Sequence, residues 1–382
     1  MSDQLRATAA RSEWLLDPEY IFLNHGSYGA APRAVLAEQD RWRERMERHP
    51  NNFMNNELPA ALRAAAASLA AFVKCDAKDL VFVENATVGC NAVLNSLRLT
   101  AGDEILVTDH GYAAVRNAAE YVAARTGAKV VEAKIAYPIA SAKTILDAVA
   151  SHIGSRTRIV ILDHITSPTA VIFPIRELVS LCRRTGAMVL VDGAHAPGML
   201  PLDIPSIGAD WYVGNCHKWL MAPKGSAFLW TDFKRQAQTH PLSISHGYGK
   251  GYTAEFDWTG TRDPSAWLSI PAAIEFCARL GGASLRERNI QLARQSAAEL
   301  ARAWHTEVGA PADITGAMAA VRLPLGGPMT IGRSLELRDW LFKTHRIELA
   351  INLFAGALWA RISAQAYNEP ADYQKLAAAF SS

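Results

Sequence analysis

In the stretch "YVGNCHKWLMAPKGSAFLW", from Tyr212 to Trp230, Lys218 stands between a histidine and a tryptophan, with apolar residues on both sides. Desolvation disfavours an ammonium, so an amine carried into such surroundings turns neutral and nucleophilic. Asp192, in "VLVDGAHAPG", precedes Lys218 by 26 residues and follows a strongly apolar run. That places it at the carboxyl end of a strand, where open α/β sheets bind ligands, although an Asp before Gly also suits a plain turn. The gap has room for one further strand, "ADWYVGN", which brings both side chains to the same edge. A third segment, "VENATVGCN", reads as a strand, a polar turn and a helix start at Ala86 and Thr87. Unpaired N–H groups and the helix dipole favour a dianion there, while Thr87 taken alone is equally a plain N-cap.

Pyridoxal phosphate uses all three features. It needs an amine to hold it as a Schiff base, a carboxylate to keep its pyridine nitrogen protonated, and donors for its phosphate. Lys218 and Asp192 meet the first two needs, and the turn before Ala86 and Thr87 meets the third.

Positioning these groups requires a sheet. Short apolar runs alternate with helical patterns: "LVFVEN" from Leu80, "EILVTD" from Glu104, "AKVVEAKI" from Ala128, "RIVILDHI" from Arg158, "AMVLVDGAH" from Ala187 and "SAFLW" from Ser226. The alternation predicts a mostly parallel sheet with helices on both faces. Helix candidates include "LPAALRAAAASLAAFV", "ATVGCNAVLNSL" and "LVSLCRRTG", the last closed by a glycine stop. After about Asp263 the pattern turns to long helices, "SAWLSIPAAIEFCARL" and "SLRERNIQLARQSAAELARAW", followed by "AMAAVRLPL", "RSLELRDWLFKTHRIEL" and "ALWARISAQAYN". This gives an expected N-terminal arm at 1–20, a large α/β domain at 21–280 and a smaller α+β domain at 281–382, with a cleft between the last two.

The segments "FLNHGSYGAAP", "ENATVGCN", "TDHGYAAV", "LDHITSPTA", "VDGAHAPG", "GNCHKW", "DWTGTRDPSAW" and "ARISAQAYN" occur in an order and spacing that resemble class V aminotransferases, a family of fold-type I pyridoxal-phosphate enzymes. The resemblance covers nearly the whole chain, and "LNHGSYGAAP", "DHITSPTA" and "GNCHKWL" look most like its isopenicillin N epimerase branch. It implies a seven-stranded sheet in the large domain, with Lys218 as the Schiff-base lysine and Asp192 on the pyridine nitrogen. It also implies that Ser167 and His195 approach the phenolic oxygen and that Tyr112 stacks on the ring, with His110 as the alternative. Ala86, Thr87, Asn215 and His217 would bind phosphate, joined by Thr261 from the partner chain of a homodimer. Arg361 would grip the carboxylate of an amino-acid substrate, with Asn24 and His25 folding over the pocket, and Trp219 is read as packing.

In this reading Lys218 takes the substrate α-proton, and the resulting carbanion has three exits: epimerisation, transamination, or loss of a β or γ leaving group. Persulfide-forming desulfurases of the family carry a cysteine upstream of the carboxylate arginine. No Cys follows Cys277 here, which disfavours that chemistry but not a C–S lyase releasing its product directly. The leading expectation is an epimerase-like enzyme, with aminotransferase or C–S lyase next and a non-catalytic cofactor-binding protein last.

The remaining composition narrows the class. Lys and Arg number 39 against 37 for Asp and Glu, and the basic residues are scattered, which argues against nucleic acid as a partner. The five cysteines are widely spaced without a CxxC pair, fitting free thiols in a reducing, cytoplasmic setting rather than a disulfide frame or a metal site. The start, "MSDQLRATAARSEW", lacks a long apolar core, and no stretch of about 20 apolar residues suits a bilayer. Neither "GxGxxG" nor "GxxxxGK[ST]" occurs, so a nucleotide fold is not expected.

Overall fold

The computed structural model describes residues 11–380, so the first half of the expected N-terminal arm lies outside the described residues. The strands are β1 (Ile21–Phe22), β2 (Leu80–Val83), β3 (Glu104–Thr108), β4 (Lys129–Ala133), β5 (Thr157–Asp163) and β6 (Met188–Asp192). They continue as β7 (Trp211–Asn215), β8 (Ala227–Thr231), β9 (Met318–Arg322), β10 (Ile347–Glu348), β11 (Ala350–Phe354) and β12 (Ala357–Ser363). Seven of them form one sheet in the order β2-β8-β7-β6-β5-β3-β4. Only β8 runs antiparallel to its neighbours, β2 and β7.

All seven strands of the large sheet grow from apolar runs picked out in the sequence, and for all but the partly exposed edge strand β4 the reason is burial on both faces. Along β5, Val160 and Leu162 enter one core while Ile159 and Ile161 enter the other. The helices Ala86–Ser96 and Ala113–Thr126 cover the second face, and the Ala-rich helix Leu58–Val73 packs on the first. The segment expected as one helix from Ser265 is two, Ser265–Leu268 and Ile270–Arg279. Pro271 has no N–H to offer the Trp267 carbonyl, so the helical ladder restarts there.

The smaller C-terminal part is a three-stranded antiparallel sheet, β11-β12-β9, backed by the helices Ala283–Ala303, Ile331–His345 and Pro370–Ala379. The turn at Gly281 and Gly282, with φ +113° and +52°, separates the helix Ile270–Arg279, which packs in the large core, from Ala283–Ala303, which packs in the small one. The segment from Ile21, expected at the start of the large domain, instead adds to the small one. Its strand β1 pairs in parallel with β10, and Ile21 and Leu23 enter the small core. Leu23 links further, with its carbonyl accepting from the Ser363 N–H at the end of β12. The chain thereby runs from the small domain across the mouth of the large sheet before its first long helix.

Candidate active site

The central strands end together at one edge of the large sheet. Asp163 closes β5, Asp192 closes β6 and Asn215 closes β7, with Asp163 registered against Asp192 and Asp192 against Val213. Lys218 follows β7, and Tyr112 follows β3 as the residue preceding the helix Ala113–Thr126. The strand order therefore sets the two carboxyls between the amine on one side and the phenol on the other. A cavity of about 570 Å³ opens over this edge.

Lys218 is 9% exposed. Burial, with the opposing Arg361 guanidinium, brings its ammonium from the ordinary 10.5 down to about 7, against the pull of Asp192 and Asp163. Its hydrogen bonds agree. Trp219 Nε1–H donates to His195 Nδ1 at 3.3 Å, which leaves the ring proton of neutral His195 on Nε2. Nε2 lies 3.2 Å from Lys218 Nζ, and an Nε2–H can only donate to an amine that has its lone pair. Burial and the Lys218 charge hold the imidazole far below its usual basicity, so the ring stays neutral and the chain Trp219, His195, Lys218 favours the free amine. Trp219, read as packing, is thus also a donor.

The helix Ala86–Ser96 is aimed at the cavity by two asparagines. Asn85 caps it through Oδ1 to the Val88 N–H at 2.9 Å, so the cap is Asn85 and not Thr87. Asn215 Oδ1 accepts the Ala86 N–H at 2.8 Å and ties the helix start to the end of β7. Thr87, in the first turn, keeps a backbone N–H with no intrahelical carbonyl to meet. His217 donates from Nδ1 to the Ser226 carbonyl at 2.9 Å, which leaves Nε2 as its free nitrogen.

Arg361, from β12, reaches the site from the small domain. It is 3% exposed and bonds only neutral groups: the Ser167 carbonyl at 2.7 Å, the Ser167 hydroxyl at 3.1 Å, Ser27 Oγ at 2.8 Å and Asn24 Oδ1 at 3.3 Å. Its Nε has no partner, and no carboxylate among the described residues pairs with it. Burial pulls the guanidinium down to about 10. A buried cation without a counter-ion is an anion site in waiting.

Of the residues expected to hold a cofactor, Ala86, Thr87, Tyr112, Ser167, Asp192, His195, Asn215, His217 and Lys218 all line the cavity. Thr261 does not; it is exposed on the loop before Arg262. His110, the alternative to Tyr112, is buried away from the cavity, bonded to Thr169 at 2.7 Å and packed on Phe354. His25 also departs from its expected place as a substrate contact. Its Nε2–H donates to the Lys218 carbonyl at 3.0 Å, and its Nδ1 meets the Tyr367 hydroxyl at 2.7 Å, so neither nitrogen is free for a ligand. Complete burial holds the ring neutral, with a pKa of about 3. Asn24 is 6% exposed and serves Arg361 and Ser27 rather than the cavity wall. Asp163, Lys224, Tyr28 and Glu84 line the cavity without having been singled out in the sequence. All four lie inside stretches already quoted: Tyr28 in "FLNHGSYGAAP", Glu84 in "VENATVGCN", Asp163 in "LDHITSPTA" and Lys224 in "YVGNCHKWLMAPKGSAFLW".

A neutral buried amine, a buried carboxyl at a strand end, an open helix N-terminus and an unpaired guanidinium are a donor set that fits pyridoxal 5'-phosphate bearing an amino acid. Residues 30–376 match the profile of class V aminotransferases. The chain belongs to the class V aminotransferase family. As a member of it, the chain is an enzyme whose cofactor is pyridoxal 5'-phosphate. It is 35% identical to the putative L-cysteine desulfhydrase 1 of Oryza sativa subsp. japonica over 93% of this chain and 81% of that one. It is 34% identical to the isopenicillin N epimerase of Streptomyces clavuligerus over 96% of each. Among solved structures, the apo cysteine desulfurase of Thermococcus onnurineus NA1 superposes with a TM-score of 0.82 at 17% identity, covering 98% of this chain and 97% of that one. The cystine C–S lyase C-DES, solved with its product cysteine persulfide, gives 0.78 at 24% identity over 95% and 98%. No helix among the described residues of this class V chain is long and apolar enough to cross a membrane.

Proposed function

We propose that this class V enzyme is a C–S lyase that eliminates sulfide from L-cysteine or a close β-thio amino acid. The observation that carries this reading is a cavity with one neutral buried amine as its base and no thiol on its walls. All five cysteines are free, none lines the cavity, and burial pushes the thiols of Cys75, Cys182 and Cys277 up to about 12 and those of Cys90 and Cys216 higher still. A persulfide therefore has no cysteine to form on, and sulfur leaves directly. L-cysteine desulfhydrases from rice and Arabidopsis, 33–35% identical, are consistent with that outcome.

Pyridoxal phosphate supplies the electron sink that lets bonds at the α- and β-carbons of a bound amino acid break. Lys218 would hold the cofactor, and its Nζ as a free amine would take the substrate α-proton and return it to the departing sulfur. With the cofactor bound, Asp192 would keep its pyridine nitrogen protonated, His195 and Ser167 would serve its phenolic oxygen, and Tyr112 would wall its ring. Ala86, Thr87, Asn215 and His217 form the phosphate cradle, completed in a homodimer by the partner chain's copy of the exposed Thr261. Arg361 orients the substrate carboxylate through the gap between Ser27 and Ser167. The free thiols support a reducing compartment, for which we propose the cytoplasm.

Epimerisation is the second reading. It is favoured by the 96% mutual coverage with isopenicillin N epimerase and by Tyr112, 44% exposed, as an acid on the wall away from Lys218. Holoenzyme incubated with L-cysteine in deuterated water separates the two. Elimination yields sulfide with pyruvate and ammonia in equal amounts; α-deuteration with inversion of an amino acid and no sulfide would reject the lyase.

A further inference from the structure

We infer that Asp163 is a neutral acid which fixes the charge of its neighbour Asp192, so that the two carboxyls at the sheet edge carry a single negative charge between them. The inference rests on the reading that Asp192 faces the cofactor's pyridine nitrogen. It goes further in giving a function to a residue with no role in that reading.

The argument begins with register. Asp163 and Asp192 are the last residues of adjacent parallel strands and are direct partners across the ladder, so their side chains leave the same face of the sheet. Both line the cavity, at 5% and 3% exposure. Two neighbouring carboxylates in so dry a place repel, and one of them takes up a proton. Position relative to the amine decides which: Lys218 follows β7, the neighbour of the strand that ends in Asp192, and Asp163 stands one strand further away. Asp192 Oδ1 accepts the Ala194 N–H at 2.9 Å, a bond that favours its anion. Asp163 accepts the Tyr112 N–H and its own backbone N–H, and burial first and then the Asp192 charge weaken it as an acid; burial weakens Asp192 too, against the nearer pull of Lys218.

The groups around the pair supply too little positive charge to ionise both members. Lys218, an ammonium below its pKa of about 7, is the cation acting on both, and it is weakened by burial and by Arg361. His195 is neutral, and Cys90 and Tyr212, which feel the pair from the helix Ala86–Ser96 and from β7, are held as neutral thiol and phenol by burial. Gly111 leaves the approach to Asp163 open: a Cβ there would sit 3.4 Å from Asp163 Oδ2. A neutral Asp163 acts as a positioning residue. As a neutral neighbour it spares Asp192 the repulsion of a second carboxylate, limits the basicity of that group and so tunes how firmly the pyridine nitrogen is held protonated.

The sign of the pH dependence follows from linkage. A carboxyl whose folded-state pKa lies above its unfolded value contributes stability that is complete below about pH 4 and is lost as pH rises through the folded value. Between pH 5 and 6 the native apoenzyme therefore loses stability with rising pH by one proton's worth relative to a variant lacking that acid. The buried histidines titrate equally in native and variant and cancel in the difference.

The test measures the slope of unfolding free energy against pH for apoenzyme of native chain, Asp163→Asn and Asp192→Asn. The expected result is a one-proton difference between native and D163N and no difference between native and D192N, since Asp163 keeps its proton in the latter. A native chain indistinguishable from D163N, or the one-proton difference appearing in D192N instead, overturns the inference. In the holoenzyme, D163N is expected to bind pyridoxal phosphate within about threefold of native and D192N at least a hundredfold more weakly. Undiminished binding by D192N would remove the pyridine reading while leaving the proton count to decide Asp163.

Discussion

Replacing Trp219 with Phe tests whether a second residue sets the charge of Lys218. The native indole N–H occupies His195 Nδ1 at 3.3 Å and keeps the ring proton on Nε2, facing Lys218 Nζ at 3.2 Å. Lys218 then titrates at about 7, and about half of it is neutral at pH 7, whereas an ordinary lysine at 10.5 would be neutral roughly once in 3,000. In W219F the proton can move to Nδ1, so that Nε2 accepts from the ammonium instead. Losing a neutral hydrogen bond of about 1 kcal/mol and gaining a charge-assisted one of about 2 favours the cation by about 3 kcal/mol. Leaving Nδ1–H unpaired in a buried site takes back about 2 kcal/mol. The remaining ~1 kcal/mol raises the Lys218 pKa by ~0.7 unit. The assay is the pH dependence of Lys218 trinitrophenylation in apoenzyme, read by peptide mass. A His195→Phe background should abolish the shift, because the coupling runs through that ring. A Lys218 pKa that stays put or falls in W219F would refute the reasoning.

Four further outcomes follow from the same contacts. Arg361→Ala should raise the KM for an amino-acid substrate about 30–100-fold, the loss of one charge-assisted interaction, while the absorbance of bound cofactor is unchanged. His25→Ala should lower stability by about 2–3 kcal/mol and reduce kcat, with KM within about twofold, since His25 holds the Lys218 carbonyl and not the substrate; denaturant titration and steady-state kinetics check both. Gly29→Ala places a Cβ 1.9 Å from the His217 carbonyl oxygen at φ +69°, so thermal unfolding should show a loss of about 2–4 kcal/mol and Lys218 should lose its reactivity. Asn215→Ala frees the Ala86 N–H and loosens the helix start, and should weaken pyridoxal phosphate about tenfold without affecting unphosphorylated pyridoxal.

Much of this site was legible because its parts are local. Seven apolar runs became the large sheet, since strands buried on both faces, as six of these are, need no partner to reveal them. Lys218, Asp192 and the Ala86 helix start each announce themselves by what surrounds them in sequence. The rest depends on tertiary register. Asp163 reads as the polar end of a strand until its pairing with Asp192 is known. His25 looks like a polar turn residue because its partners, the Lys218 carbonyl and Tyr367, lie 193 and 342 positions away. The strand β1 is two residues long and exists only because β10 receives it, too short for any periodicity to show. Thr261 is exposed and does not line its own cavity, and its proposed task requires a second chain.

The most direct test of the account is where the cofactor attaches. Holoenzyme reduced with borohydride and digested should carry the phosphopyridoxyl group on Lys218, in the peptide containing "GNCHK". Attachment to Lys224, the other lysine on the cavity wall, or no attachment at all, would contradict it.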